Sequence, residues 1–100
     1  MGHFEEYVLR AVLHLKDNAY GVTIKTYIDE LTDKDTSFGA IYSTLERLEA
    51  KGFLSSYLGD PIPQRGGRAK RFYRLEAAGR NALQHLDETR RRIGLRELAT

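Results

Sequence analysis

The sequence predicts an α+β domain, mainly α-helical, ordered helix, helix, helix, strand, loop, strand, helix. Three observations predict it. Apolar residues recur at helical spacing in three successive segments before residue 52. Two short alternating segments then flank a loop that holds both prolines, Pro61 and Pro63. Helical spacing returns from Ala77 onward.

The first helix is expected over residues 3 to 16. Tyr7, Val8, Ala11, Val12 and Leu15 form a wide apolar stripe, and Glu5 and Glu6 lie in the first turn, where acids suit the helix dipole. Asp17, Asn18 and Gly21 mark a turn. From about Val22 to Leu31 a second helix places Ile24, Tyr27, Ile28 and Leu31 at i, i+3, i+4 and i+7, which makes one buried face. The segment TDKDTS breaks that pattern.

Ser37 starts the third helix, because its hydroxyl can accept a hydrogen bond from a free backbone N–H of the first turn. Gly52 stops it, since glycine takes the left-handed C-terminal conformation at little cost. Between them Ile41, Leu45 and Leu48 should face the core, leaving Ala40, Ser43, Thr44 and Arg47 on the opposite, small and polar face. Tyr42 has two readings, a neighbour of the apolar row or a hydroxyl directed at a phosphate. Phe38 and Gly39 lie in the first turn. Phe38 either touches a thymine methyl group or staples the helix to the core.

Phe53 to Leu58 and Lys70 to Leu75 read as short strands, with Tyr73 and Leu75 on one face. The intervening GDPIPQRGGRA is too long for a tight turn and should be an exposed loop. Its end and the return strand carry Arg65, Arg68, Lys70, Arg71 and Arg74 with no acid between them, and the Gly66–Gly67 pair allows close backbone approach to a surface. Net charge is only +2, so the distribution matters more than the total: residues 37 to 74 hold seven Lys/Arg against three Asp/Glu, whereas residues 1 to 36 hold four against seven.

The last helix is expected from Ala77 to about Arg92, with Gly94 loosening its end. Leu83, Leu86 and Ile93 lie roughly on one side, and a three-helix core closed by a hairpin offers them no obvious place within the chain. Pairing with a second subunit would bury them, together with Tyr7 and Val8 of the first helix. The expected division is a winged helix-turn-helix unit over residues 1 to 76 and a dimerisation helix with tail over 77 to 100, within one compact domain.

Composition limits what such a chain can be. At 100 residues it is a single domain burying roughly 60–68% of its unfolded surface, enough for a modest core. No apolar run approaches the ~18 residues of a membrane span, and the acidic amino terminus does not read as a signal peptide. The absence of cysteine removes disulfides and thiolate metal sites and fits the cytoplasm. His3, His14 and His85 have no second ligand at i+3 or i+4, so no metal or other cofactor is expected. Adjacent acids such as Glu5 with Glu6 or Asp87 with Glu88 make poor acid/base pairs, and Ser43 has no neighbouring base. An enzyme is not expected.

A capped helix with a small-residue face followed by a basic hairpin is how a winged helix-turn-helix meets duplex DNA. The helix would enter the major groove, and the basic side chains would pair with phosphates or enter a narrow minor groove. The residues expected at DNA are Ser37, Gly39, Ala40, Tyr42, Ser43, Thr44, Arg47, Arg65, Gly67, Arg68, Lys70 and Arg71.

Three stretches, AYGVTI at 19 to 24, SFGAIYSTLERLEAKGF at 37 to 53 and RGGRAKRFYRLEAAGRNAL at 65 to 83, make the sequence resemble the PadR family of transcriptional regulators. The resemblance departs at Phe38, often proline in the family, and at Glu76, often Thr or Ser. It implies a homodimeric repressor of the nucleoid that binds a pseudo-palindromic operator, with the carboxy-terminal helix and the first helix at the subunit interface. In many relatives a small aromatic or drug-like effector weakens DNA binding. The alternative reading keeps the winged fold but turns it to binding another protein.

Overall fold

The computed structural model describes residues 1–59 and 69–99, the side chains beyond residue 96 excepted. Helix α1 spans His3–Leu15, α2 Gly21–Thr32 and α3 Phe38–Ala50; strands β1 (Leu54–Leu58) and β2 (Arg71–Leu75) form an antiparallel pair; α4 runs over Ala77–Ala99. This is the order read from the sequence, with boundaries moved by a residue or two everywhere except at the end of α4.

Local chemistry sets the element ends. Ser37 Oγ accepts the Ala40 N–H at 3.0 Å, as expected of an N-cap. At the other end of α3, Gly52 has φ +79° and its N–H reaches Glu49 O at 3.0 Å, while the Phe53 N–H reaches Leu48 O at 2.9 Å. Those two bonds make a Schellman motif, which requires the left-handed residue that only glycine supplies cheaply. At the start of α2 the Thr23 hydroxyl accepts the Tyr20 N–H at 3.0 Å.

One core joins the elements: Val8, Leu9 and Val12 from α1, Ile24 and Ile28 from α2, Ile41, Leu45 and Leu48 from α3, Leu54 from β1, Tyr73 from β2 and Leu83 from α4. The hairpin register runs from Leu54↔Leu75 to Leu58↔Arg71. Tyr73 also donates its N–H to Ala19 O at 2.9 Å, and Tyr20 bridges Phe72, so the entry to α2 lies along the free edge of β2.

The carboxy-terminal helix departs from expectation in two respects. It continues through Gly94 to Ala99 instead of ending near Arg92. One glycine costs a helix only about 1 kcal/mol, and no proline follows to stop it. Its first turns are also part of the subunit's own core. Val8 and Leu83, assigned above to a subunit interface, are 0% and 3% exposed within the single chain and have no surface to offer a partner. The reason is Gly79, which lies so close to Phe53 O that a side chain there would collide with it; α4 thus starts directly against the α3–β1 junction. Leu86 is half-buried at the edge of the core, whereas Tyr7 and Ile93 remain exposed.

Charge completes the docking of α4. Glu6, 4% exposed, accepts from Arg90 Nη1 at 2.6 Å and Nη2 at 2.5 Å, and from Arg10 Nε at 2.8 Å. Arg10 also reaches Asp87 at 2.7 Å. With these hydrogen bonds from Arg90 first and Arg10 second, the Glu6 carboxyl is lowered to about 2 despite its burial. Beyond Arg90 the helix extends away from the body, giving overall dimensions of 60 × 29 × 20 Å and a radius of gyration of 15.7 Å. A compact chain of this length would have about 13 Å.

Candidate nucleic-acid interface

The outward face of α3 is set by its inward one. Ile41, Thr44, Leu45 and Leu48 are buried, so at 3.6 residues per turn the centre of the exposed face falls on Gly39, Ser43, Glu46 and Ala50. Ala40 and Arg47 flank it on one side and Tyr42 on the other, all exposed. Thr44, expected on this outer face, is instead 1% exposed. It lies three residues after Ile41 and four before Leu48, within the apolar row, and its polarity concealed that placement. Its hydroxyl accepts from Arg47 Nη2 at 3.0 Å, so Thr44 acts on the face only by tethering the arginine. Glu46 was missing from the sequence reading although it stands at i+3 from Ser43 and i+7 from Gly39.

The two aromatic residues of the first turns stand at the rim. Phe38 and Tyr42 stack at 6.3 Å, both exposed, and Lys25 Nζ lies 5.7 Å from the Phe38 ring. Phe38 is therefore no staple into the core. The Tyr42 ring rests against Gly21, where a Cβ would overlap its hydroxyl; the absent side chain lets α3 and the first turn of α2 come together.

A carboxylate holds the turn between α2 and α3. Asp29 Oδ1 accepts from the Thr36 N–H at 2.9 Å and the Thr36 hydroxyl at 2.8 Å, and Oδ2 accepts from Lys25 Nζ at 2.5 Å. The Lys25 ammonium first, then the Thr36 N–H, hold the Asp29 carboxyl at about 2. Thr36 directly precedes the N-cap Ser37, so Asp29 fixes where α3 begins. In the sequence this segment showed only as a break in periodicity.

The hairpin is ordered differently on its two faces. On one, Tyr57 and Phe72 are cross-strand partners with rings 5.5 Å apart, and Tyr20 meets Phe72 edge-on at 5.4 Å. Lys70 Nζ lies 4.3 Å over the Tyr20 ring and the Arg74 guanidinium 4.3 Å over Tyr57, each held by a ring face. On the other, Arg71 donates to Ser56 Oγ at 3.0 Å, and that hydroxyl donates to Glu49 Oε2 at 2.8 Å, linking β2 to α3. Tyr42, Glu46, Glu49, Ser56, Arg71 and Tyr73 line the cleft between helix and hairpin. Arg71 thus borders α3 across this cleft, whereas Lys70 is held over Tyr20 on the other face of the hairpin. Arg65, Gly67 and Arg68 lie outside the described residues.

The sequence profile of the transcriptional regulator PadR-like family matches residues 9–85. The chain belongs to that family. The matched span takes in about half of α1, then α2, α3, the hairpin strands and the first turns of α4. No curated protein is similar enough in sequence to match. Among solved structures, this PadR-like regulator is similar to a PadR family transcription regulator from Clostridium difficile, with TM-score 0.77 and 25% identity over 93% of this chain and 92% of that one. A PadR-like transcriptional regulator from Bacillus cereus superposes with TM-score 0.73 at 17% identity, covering 92% of this chain and 84% of that one. The Orc1 protein of Aeropyrum pernix, solved in complex with DNA, shares the fold with TM-score 0.67 and 22% identity over 85% of this chain and 24% of its own.

Among the described residues no cluster of His, Cys, Asp or Glu could hold a metal ion, and no helix is long and apolar enough to cross a membrane.

Proposed function

We propose that this PadR-like regulator is a sequence-specific DNA-binding repressor that acts as a homodimer on a pseudo-palindromic operator in the cytoplasm. The observation that carries the reading is the exposed face of α3, small and polar at Gly39, Ala40 and Ser43, bordered by the anchored cation Arg71, with Lys70 held on the other face of the same hairpin. A helix with such a face can come close to base edges, and cations beside it can replace condensed counterions on phosphates. The Orc1 likeness adds that a protein of this fold has been solved on DNA.

The homodimer draws support from α4. Its distal part carries Ile93 and Leu95, 52% and 57% exposed, and Tyr7 and Leu31 are exposed along a groove between α1 and α2. In this reading α4 has two roles: its first turns complete the reading unit of residues 1 to 76, and its distal turns pair with a second subunit. Two α3 helices about 34–36 Å apart would then meet half-sites one helical turn apart. The α1–α2 groove, about 390 Å³ and lined by Tyr7, Arg10, Tyr27 and Lys34 among others, offers two aromatic rings to a small aromatic effector.

Fluorescence anisotropy with the DNA upstream of its own gene tests the main reading. If each subunit sets four or five cations on phosphates, log affinity falls with log salt at a slope of roughly −7 to −9. Absence of binding, or binding insensitive to salt, would overturn it in favour of a protein-binding winged module.

A further inference from the structure

Glu46 occupies the centre of the α3 face that the proposed function directs at DNA, one turn from Ser43 and two from Gly39. It is exposed, and among the described residues no cation or hydrogen-bond donor reaches its carboxylate. Its neighbouring arginines, Arg47 on α3 and Arg71 across the cleft that Glu46 also lines, are each anchored to another side chain. Arg47 is tethered to Thr44, and Arg71 donates to Ser56, whose own proton goes to Glu49. Among the described residues its carboxylate thus has no ion-pair partner, at a place where two walls of phosphate would face it.

On arbitrary DNA that charge opposes binding, because it meets like charge on both sides and carbonyl or ring-nitrogen acceptors on most base edges. Only an exocyclic amino group in the major groove reverses the sign. Adenine and cytosine both have one, but on adenine the N7 acceptor lies beside N6, whereas cytosine N4 is flanked by a C–H. A carboxylate is therefore satisfied best by cytosine. Resting on the DNA-reading function above, we infer that Glu46 is a specificity-determining residue: it accepts a hydrogen bond from cytosine N4 in each half-site and repels sequences that lack cytosine there.

Selection of bound duplexes from a random library tests this with wild type, Glu46→Ala and Glu46→Gln, each first checked for an unchanged melting temperature. Wild type should enrich half-sites with one invariant cytosine, preferred over other bases by roughly 5- to 100-fold. Glu46→Ala should retain the rest of the motif, lose preference at that position to within about threefold and bind cytosine-free variants more tightly than wild type. Glu46→Gln should move the preference toward adenine, whose N6 and N7 match a carboxamide. A wild-type motif that survives unchanged in Glu46→Ala would overturn the role of Glu46 alone. Enrichment of no motif by wild type would overturn the DNA-reading function with it.

Discussion

Arg90 of α4 donates both terminal nitrogens to the two carboxylate oxygens of Glu6 on α1, across 84 residues of sequence. The carboxylate is buried and the arginine half-exposed, so the pair forms at the point where α4 leaves the body. A planar bidentate contact fixes direction as well as distance, and it holds the distal half of α4 at a set angle to the reading unit.

The pair should give this protein an acid-labile component. The Glu6 carboxyl titrates near 2 when folded and near 4.5 otherwise. A depressed folded value means that the stabilisation is complete above pH 4.5 and fades as pH falls toward 2. At about 1.4 kcal/mol per unit, reduced because Arg90 is half-exposed, it amounts to about 2 kcal/mol. Urea unfolding at pH 7 and pH 3 checks this: Glu6→Gln should lose about 2 kcal/mol at pH 7 and much less at pH 3. An equal loss at both values would assign the effect to packing.

Two glycines of α4 should respond oppositely to alanine. Gly79 has Phe53 O and the Leu75 side chain where a methyl would go, so Gly79→Ala is expected to destabilise by about 1–3 kcal/mol even though alanine favours helix. Gly94 has nothing within 4 Å, and Gly94→Ala should stabilise by about 0.5–1 kcal/mol. Thermal unfolding of both variants reads the contrast. A loss at Gly94 would show that another surface closes over it.

Asp29→Ala removes the acceptor of both Thr36 hydrogen bonds and frees the segment before the N-cap. Because the core lies elsewhere, the melting temperature should fall by only a few degrees, while operator affinity should drop by about tenfold. Comparing anisotropy with differential scanning calorimetry separates the two. Parallel losses would show that the turn contributes to folding more than to the placement of α3.

Cations and the α3 face should divide affinity from address. Arg71→Ala is expected to weaken binding to all duplexes alike and to lower the magnitude of the salt slope by about 1 per subunit. Ser43→Ala or Arg47→Ala should instead change the order of preference among sequences, at a cost of about 1–3 kcal/mol for the favoured one. Titrations against a small panel of duplexes at several salt concentrations distinguish these outcomes.

What the sequence by itself determined is local in range. The N-cap at Ser37, the stop at Gly52, the inward Ile24 and Ile28 of α2, the inward Ile41, Leu45 and Leu48 of α3 and the alternation of the two strands are contacts within a few residues, and spacing reports them directly, although Leu31, expected in the α2 row, is 68% exposed. Family membership was legible for the same reason, in three stretches whose order survives without knowledge of the fold. Tertiary structure decided the rest. Thr44 faces inward because the apolar row includes its position, Val8 and Leu83 belong to the subunit's own core because Gly79 lets α4 lie against the α3–β1 junction, and α4 runs through Gly94 because nothing opposes it. Glu6 with Arg90, and Asp29 with Thr36, are paired only once helices are in place. No periodicity records which distant side chain will be brought within hydrogen-bond reach, so the rotation of the reading face and the direction of α4 had to come from packing.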